Sequence, residues 1–388
     1  MQIIKNKTNI DFIGKRKVAL FLSTAVNVAI LVGIAAVGFN WGIDFVGGTV
    51  VELQFKPSAA KVDAEAVRKR AEAGVLHDVS VQGIGAPEEQ SFLVRLGGTT
   101  QLTKETAEAA DVALKTLGSD VKVLSPDLDN GILNFRSPRK LDVGAVQRAV
   151  TGSMGVKEVR EVGEVAGQFE YQVVASGMAE KITQAMSVNG GQEFEVRRTE
   201  YVGPQVGKQL RNKGVGSLLY AILAILVYVA FRFDFKFAPG AVLAMLHDAI
   251  MVAGYYLVTR REFNLTSIAA LLTVIGYSVN DTIVIYDRIR EEMVKYKGKP
   301  LPEIINIAVN DTLSRTILTS GVTALSLVGL LIFGVGEIWD FSMAMLVGII
   351  VGTYSSVYIA SPLTIWLDER EAAKARGHHA PAQHERTA

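Results

Sequence analysis

The segment "GYSVNDTIVIYDRIREE", Gly276 to Glu292, carries a carboxylate, Asp281, inside an otherwise apolar run. An ionised carboxylate is expensive in hydrocarbon, so this residue type at this place has two uses. It can gain and release a proton, or it can stay protonated and make an interhelical hydrogen bond. If the run ends as a helix near Asp287 and Arg288, a rise of ~1.5 Å per residue puts Asp281 ~9 Å inside the boundary, too deep for its short side chain to reach water. Thr273, Tyr277 or Ser278, and Asp281 recur at helical spacing and form one polar stripe. His247 and Asp248, between "AVLAML" and "AIMVAGYYLV", either line the same polar path or form a satisfied packing pair, because neighbouring residues point apart around a helix. Arg315 opens a later apolar stretch, where by composition it reads as a cationic flank snorkelling to the interface.

The elements that must position these groups are membrane helices. Hydrophobic residues make up 49% of the 388 residues, mean hydropathy is +0.28 and formal net charge is +1, which is too apolar for an ordinary soluble domain and gives no nucleic-acid signal. A bilayer-spanning helix needs about 20 predominantly apolar residues. Six windows qualify: Val18–Phe39, Val215–Phe231, Phe237–Val258, Phe263–Tyr286, Thr316–Gly336 and Phe341–Leu367. The first follows the basic "GKRK" but is longer than the ~7–15 apolar residues of a signal-peptide core, so it reads as an uncleaved anchor. Seventeen Lys and Arg lie in the short segments on the face that would hold both termini, against two on the other face. This excess places residues 1–17 and the tail 368–388 in the cytoplasm, leaving residues 40–214 outside it.

Residues 40–214 read as an α+β domain with an internal repeat. The first half runs "TVVELQF", an apolar-periodic helix at 62–73, "VSVQGIG", "SFLVRL", a helix at 103–117 and "DVKVL"; the second half repeats that order from "GILNFR" to "EFEVRRTEYV". Two βαββαβ modules at about 49–127 and 131–202 are therefore expected, each ferredoxin-like. The predicted fold is a polytopic α-helical membrane protein of six transmembrane helices at 18–39 and 215–367, with this duplicated extracytoplasmic domain between helices one and two.

Several chemistries lack their residues. No Gly-Lys pair is followed by Ser or Thr, so there is no P-loop, and there is no H-E-x-x-H. Cysteine is absent, which removes thiolate catalysis and disulfides. The histidines of "HHAPAQH" read as a solvated tail, Trp41 as an interfacial anchor, and Gly47-Gly48 as a turn into the first strand. No cofactor is expected.

The segments "WGIDFVGGT", "VGPQVGKQL", "VYVAFRF", "AVLAMLHD", "REFNLTSIAALLTVIGYSVNDTIVIYDRIRE", "LSRTILTS" and "VGTYSSVYIASPL" together resemble the SecF family. These are membrane subunits of the bacterial Sec protein-export machinery, within the SecD/SecF group of the resistance–nodulation–division superfamily. The resemblance implies residence in the bacterial inner membrane and a SecD partner supplying a related six-helix half. It also implies contact with the SecYEG channel, with YajC and with the unfolded polypeptide in transit. It makes Asp281 the membrane aspartate of proton passage and Arg315 the arginine beside it; Asn280, His247 and Asp248 complete the candidate proton relay. Family members usually carry one outer module, where this chain reads as having two. The expected function is a proton-driven translocase subunit rather than an enzyme. A proton-coupled exporter of small amphiphiles or lipids is the alternative; an intramembrane aspartyl protease is disfavoured because the G-x-G-D pattern is missing.

Overall fold

The computed structural model describes residues 8–378, except 57–61, 74–78, 85–86, 99, 188–192 and 233–236. Lys5, Lys7, Lys236 and Arg386, which entered the charge count, and His379 and His384 of the tail reading lie outside the described residues. The chain divides into two compact units, Met1–Asn40 with Gly214–Ala388, and Trp41–Lys213.

The first unit is helical. Its elements are α1 (Arg16–Val37), the C-terminal part of α7 (Pro204–Arg232), α8 (Ala238–Thr259), α9 (Leu265–Lys295), α10 (Leu301–Phe333), α11 (Glu337–Ser355) and α12 (Ser361–His378). A π-helical turn, Ser356–Ala360, links the last two. Among the described residues, six helical stretches are long and apolar enough to cross a membrane. The helices outrun the apolar windows, because hydropathy marks what a bilayer tolerates and says little about where backbone bonding stops. α9 continues past Tyr286 to Lys295, and α10 begins at Leu301 with Pro302 in its first turn, a position that suits proline. Arg315 therefore sits well inside α10 and does not start it. α9 is opened by a capping box in which Asn264 Oδ1 accepts from Ser267 N at 2.9 Å and Ser267 Oγ accepts from Asn264 N at 3.1 Å. The core of this unit gathers Ile275, Val279, Ile285 and Tyr286 of α9, Ile305 and Val309 of α10, and Ala244 and Met245 of α8.

The second unit contains α2 (Ile43–Val46), β2 (Gly48–Phe55), α3 (Ala64–Ala73), β3 (Ser80–Ile84), β4 (Ser91–Leu96), α4 (Lys104–Lys115), β5 (Lys122–Val123), β6 (Ile132–Ser137), α5 (Val143–Thr151), β7 (Val156–Val165), β8 (Gln168–Ala175), α6 (Met178–Ser187) and β9 (Phe194–Val202). The remaining two strands are short: β1 (Asn40–Trp41) and β10 (Glu262–Phe263). The described strands of the second unit form two antiparallel sheets, ordered β3-β4-β2-β9 and β5-β6-β8-β7.

These pairings correct the expected module boundaries. β9 pairs with β2 in the first sheet, and Ile182 and Met186 of α6 enter the first core beside Val51, Leu53 and Phe55. Conversely α4 delivers Ala107, Ala110 and Leu114 to the second core beside Leu133 and Phe135, and β5 pairs with β6. The closing helix and strand of each sequence half are thus exchanged between the sheets. A local turn accounts for half of this: "PDLDNG", which spans the expected junction between the modules, is a hairpin connection. Leu124 N donates to Asn134 O at 2.8 Å, and Asp127 caps the turn by accepting from Asn130 Nδ2 at 2.7 Å. The Asn130 side chain and backbone donors hold the Asp127 carboxyl below its ordinary range. Closing so short a loop costs far less chain entropy than returning β5 to β2.

The glycine pair of "WGIDFVGGT" is a close-packing site. Gly47 has φ +77°, and a Cβ there would stand 2.8 Å from Pro204 Cα; a Cβ on Gly207 would stand 2.9 Å from Gly47 N. Two of the quoted segments therefore meet backbone to backbone, which only glycine permits. Arg95 of β4 reaches the same region, where burial pushes its guanidinium down to about 10 against the opposing charge of Asp44.

Candidate functional site

The candidate relay residues fall into three groups. Asp281, on α9, is buried, and its Oδ1 accepts a hydrogen bond from Thr316 Oγ1 of α10 at 2.7 Å. Its Oδ2 is also shielded from solvent and has no hydrogen-bond partner among the described residues. Leaving a buried acceptor unpaired costs about 1–3 kcal/mol, more if it is charged, so this carboxyl is held in an unsatisfied state by the packing around it.

The second group centres on Asp248 of α8. His247 Nδ1 lies 2.9 Å from Asp248 Oδ1, while Asp248 Oδ2 accepts from Ser278 Oγ of α9 and from Ser355 Oγ of α11, the latter at 2.8 Å. His247 and Asp248, adjacent in sequence, do meet, and the His247 ring also lies 6.2 Å from the ring of Tyr354 on α11. They do not touch Asp281. Ser278, which donates to Asp248, stands one helical turn before Asp281 on α9, and the hydroxyl of the next residue, Thr282, lies 2.9 Å from Ser356 Oγ at the start of the π-helical turn.

Asn280 and Arg315 belong to a third group. Both are exposed in this chain and line a polar cavity of about 1230 Å³, together with Asp287, Arg288, Glu291 and Asp311. Arg315 makes no ion pair within 4.0 Å among the described residues, with Asp281 or any other. It neighbours Thr316 in sequence, but a step of ~100° around the helix sends the two side chains different ways. Within the cavity Arg288 Nη2 binds Asp311 Oδ2 at 2.6 Å and Glu292 Oε1 at 2.8 Å, so charge along this wall is largely matched.

The expected stripe is real only in part. Ser278 and Asp281 are buried, whereas Thr273 is exposed and returns its hydroxyl to Ala269 O at 2.7 Å, and Tyr277 Oη donates to Thr323 Oγ1 at 3.3 Å. Sequence reasoning missed Thr316, Ser355 and Ser356. Their signal was present as hydroxyl residues crowded into apolar windows, "LSRTILTS" and "GTYSS".

Six helices among the described residues long and apolar enough to cross a membrane, with an α+β unit inserted after the first, define a multi-pass membrane protein. Residues 181–370 match the family model described as protein export membrane protein SecD/SecF, C-terminal, and residues 32–59 match the SecD/SecF GG motif. The protein translocase subunit SecF of Magnetococcus marinus is 37% identical over 95% of this chain and 95% of its own length. A protein translocase subunit SecDF of Brucella abortus is 34% identical over 94% of this chain, which spans 38% of that protein. The crystal structure of SecDF, a translocon-associated membrane protein from Thermus thermophilus, superposes with a TM-score of 0.63 at 28% identity over 95% of this chain and 40% of its own. The chain belongs to the SecF family of protein translocase subunits.

Proposed function

We propose that this chain works with a SecD partner as an auxiliary subunit of the Sec translocase, coupling proton passage at Asp281 to motion of its α+β unit and so assisting protein export. The observation that carries this reading is the half-satisfied Asp281 carboxyl, bonded on one oxygen and unpartnered on the other, one residue from the polar cavity that Asn280 and Arg315 line. Such a group binds a proton in one arrangement and releases it when a cation or water approaches in another. One charge crossing the membrane potential is worth about 2.3 kcal/mol per 100 mV, enough to drive repeated conformational work without a nucleotide.

The Brucella relative supports SecD as the partner, since its name joins the two subunits and this chain spans 38% of it. By the same reading the complex meets the SecYEG channel and YajC and handles unfolded polypeptide. The excess of Lys and Arg supports cytoplasmic termini and an extracytoplasmic α+β unit in the inner membrane. The two sheets share one strand order, with β9 and β5 as the respective fourth strands, which supports a duplicated ferredoxin-like pair whose closing units are exchanged.

The test is export into inside-out vesicles with and without an uncoupler. Asn keeps the shape and hydrogen bonding of Asp but cannot ionise. Asp281→Asn should accumulate normally and still bind SecD, yet lose the uncoupler-sensitive increment while ATP-driven export survives. Retention of the full increment would sink the proton assignment in favour of a permanent hydrogen bond. Co-purification of SecD and the channel separates this reading from a small-molecule exporter, which would appear as a homo-oligomer.

A further inference from the structure

The segment Thr8–Ile13 precedes α1 and has no regular secondary structure before its final turn, yet its peptide groups are bonded by side chains of α10. Asn310 Oδ1 accepts from Ile10 N at 2.9 Å, and Asn310 Nδ2 donates to Ile10 O at 2.9 Å. Asn306 Oδ1 accepts from Phe12 N at 2.9 Å, and its Nδ2 donates to Ile10 O at 3.1 Å. The two amides stand four residues apart, hence on one helical face, and each offers a donor and an acceptor as a neighbouring strand would. Ile13 is buried in the helical core and Phe12 lies edge-on to Tyr358 with centroids 6.2 Å apart, which anchors the far end of the segment.

Thr8 and Asn9 of this clipped segment line the cavity of about 1230 Å³ from one side, and Asn280, Val284, Thr312 and Arg315 line it from the other. A polar space of that size holds many waters, since one needs only about 15 Å³ of such volume. Asp281 is not part of the lining, but Asn280 and Val284 belong to the helical turns that carry it, and Thr312 lies one turn before its donor Thr316.

We propose that this cavity is the aqueous port through which Asp281 exchanges its proton with the side of the membrane holding the chain's N-terminal segment, and that the clip by Asn306 and Asn310 fixes the port's wall. The assignment rests on Asp281 being the titrating group. The ligand is water and its excess proton.

The chain contains no cysteine, so single cysteines report without background. In vesicles of the whole complex, Ile283→Cys, inside the port, is treated with a membrane-impermeant thiosulfonate from either side, beside Val322→Cys on the exposed apolar face of α10. Ile283→Cys should label only from the N-terminal side, and Val322→Cys from neither. Adding Asn306→Ala and Asn310→Ala removes the four hydrogen bonds described above and should raise the Ile283→Cys rate at least about tenfold. The same pair, in the cysteine-free chain, should cut the uncoupler-sensitive export increment several-fold. Asn310→Ala alone, which leaves the Asn306 half of the clip, should give a smaller shift in the same direction and covers the case in which the double variant does not fold. No labelling, labelling from the opposite side, or a rate indifferent to the clip overturns the port. An Asp281→Asn chain that keeps its increment overturns the proton reading instead, so the two failures are distinguishable.

Discussion

Asp248 and Asp281 are both carboxylates in apolar helices, and their surroundings differ in one decisive respect. Asp248 is 0% exposed and both its oxygens are engaged, by the His247 ring nitrogen, Ser278 and Ser355. Asp281 is 8% exposed and has one donor, Thr316, with its second oxygen unpartnered among the described residues. A fully bonded acceptor is fixed in place by its donors, which would all be stranded if it moved. A half-bonded one can change partners at small cost. The comparison teaches that two carboxylates buried in apolar helices can differ in open acceptor capacity, and the proposed function rests on that difference. On the proposed function, the difference favours Asp281 over Asp248 as the exchanging group, with Asp248 tying α8, α9 and α11 together.

The largest expected effect is Asp248→Ala, which leaves a ring nitrogen and two hydroxyls buried without their acceptor; breaking such a network by deleting one member costs about 3–5 kcal/mol. Thermal unfolding in detergent, with the amount of folded protein in membranes, measures it. A variant that melts like the parent yet loses uncoupler-sensitive export would break the comparison and move Asp248 into the relay. Ser355→Ala removes one of the three donors and should cost about 1 kcal/mol by the same measurement, with most of the export increment kept. A full loss of the increment at normal stability would count against a purely structural network.

Asp281→Asn should leave stability within about 1 kcal/mol, because the amide oxygen still accepts from Thr316, while function falls as described above. A collapse in stability as large as that of Asp248→Ala would erase the distinction. The smallest structural effect belongs to Arg315, exposed and without an ion pair among the described residues: Arg315→Lys and Arg315→Ala should each shift stability by under about 0.5 kcal/mol. They should separate in export, where Lys keeps part of the increment and Ala loses it. Equal activity of the two would mean that Asp281 does not sense that charge.

Much of this was legible in the residues. Six apolar windows announced six helices, and an aspartate in the fourth announced a group under strain, because hydropathy is a local property that each segment carries with it. What failed was inference about ends and partners. Arg315 looked like the start of a helix because the polar first half of α10 is invisible to hydropathy; that half is held by Asn306 and Asn310 and by the pairing of Asp311 with Arg288. Ser355 gave no sign of binding Asp248, more than a hundred residues away. The second unit shows the same division. Alternation and helical periodicity specified two successive βαββαβ patterns, since each strand and helix records its own buried face. Which sheet received α4 with β5, and which received α6 with β9, was decided by a tight turn at Asp127–Gly131 and by the match of Ile182 and Met186 to the first core. The turn is a local closure, whereas the match of α6 to the first core is packing between distant segments and exists only once the chain has folded.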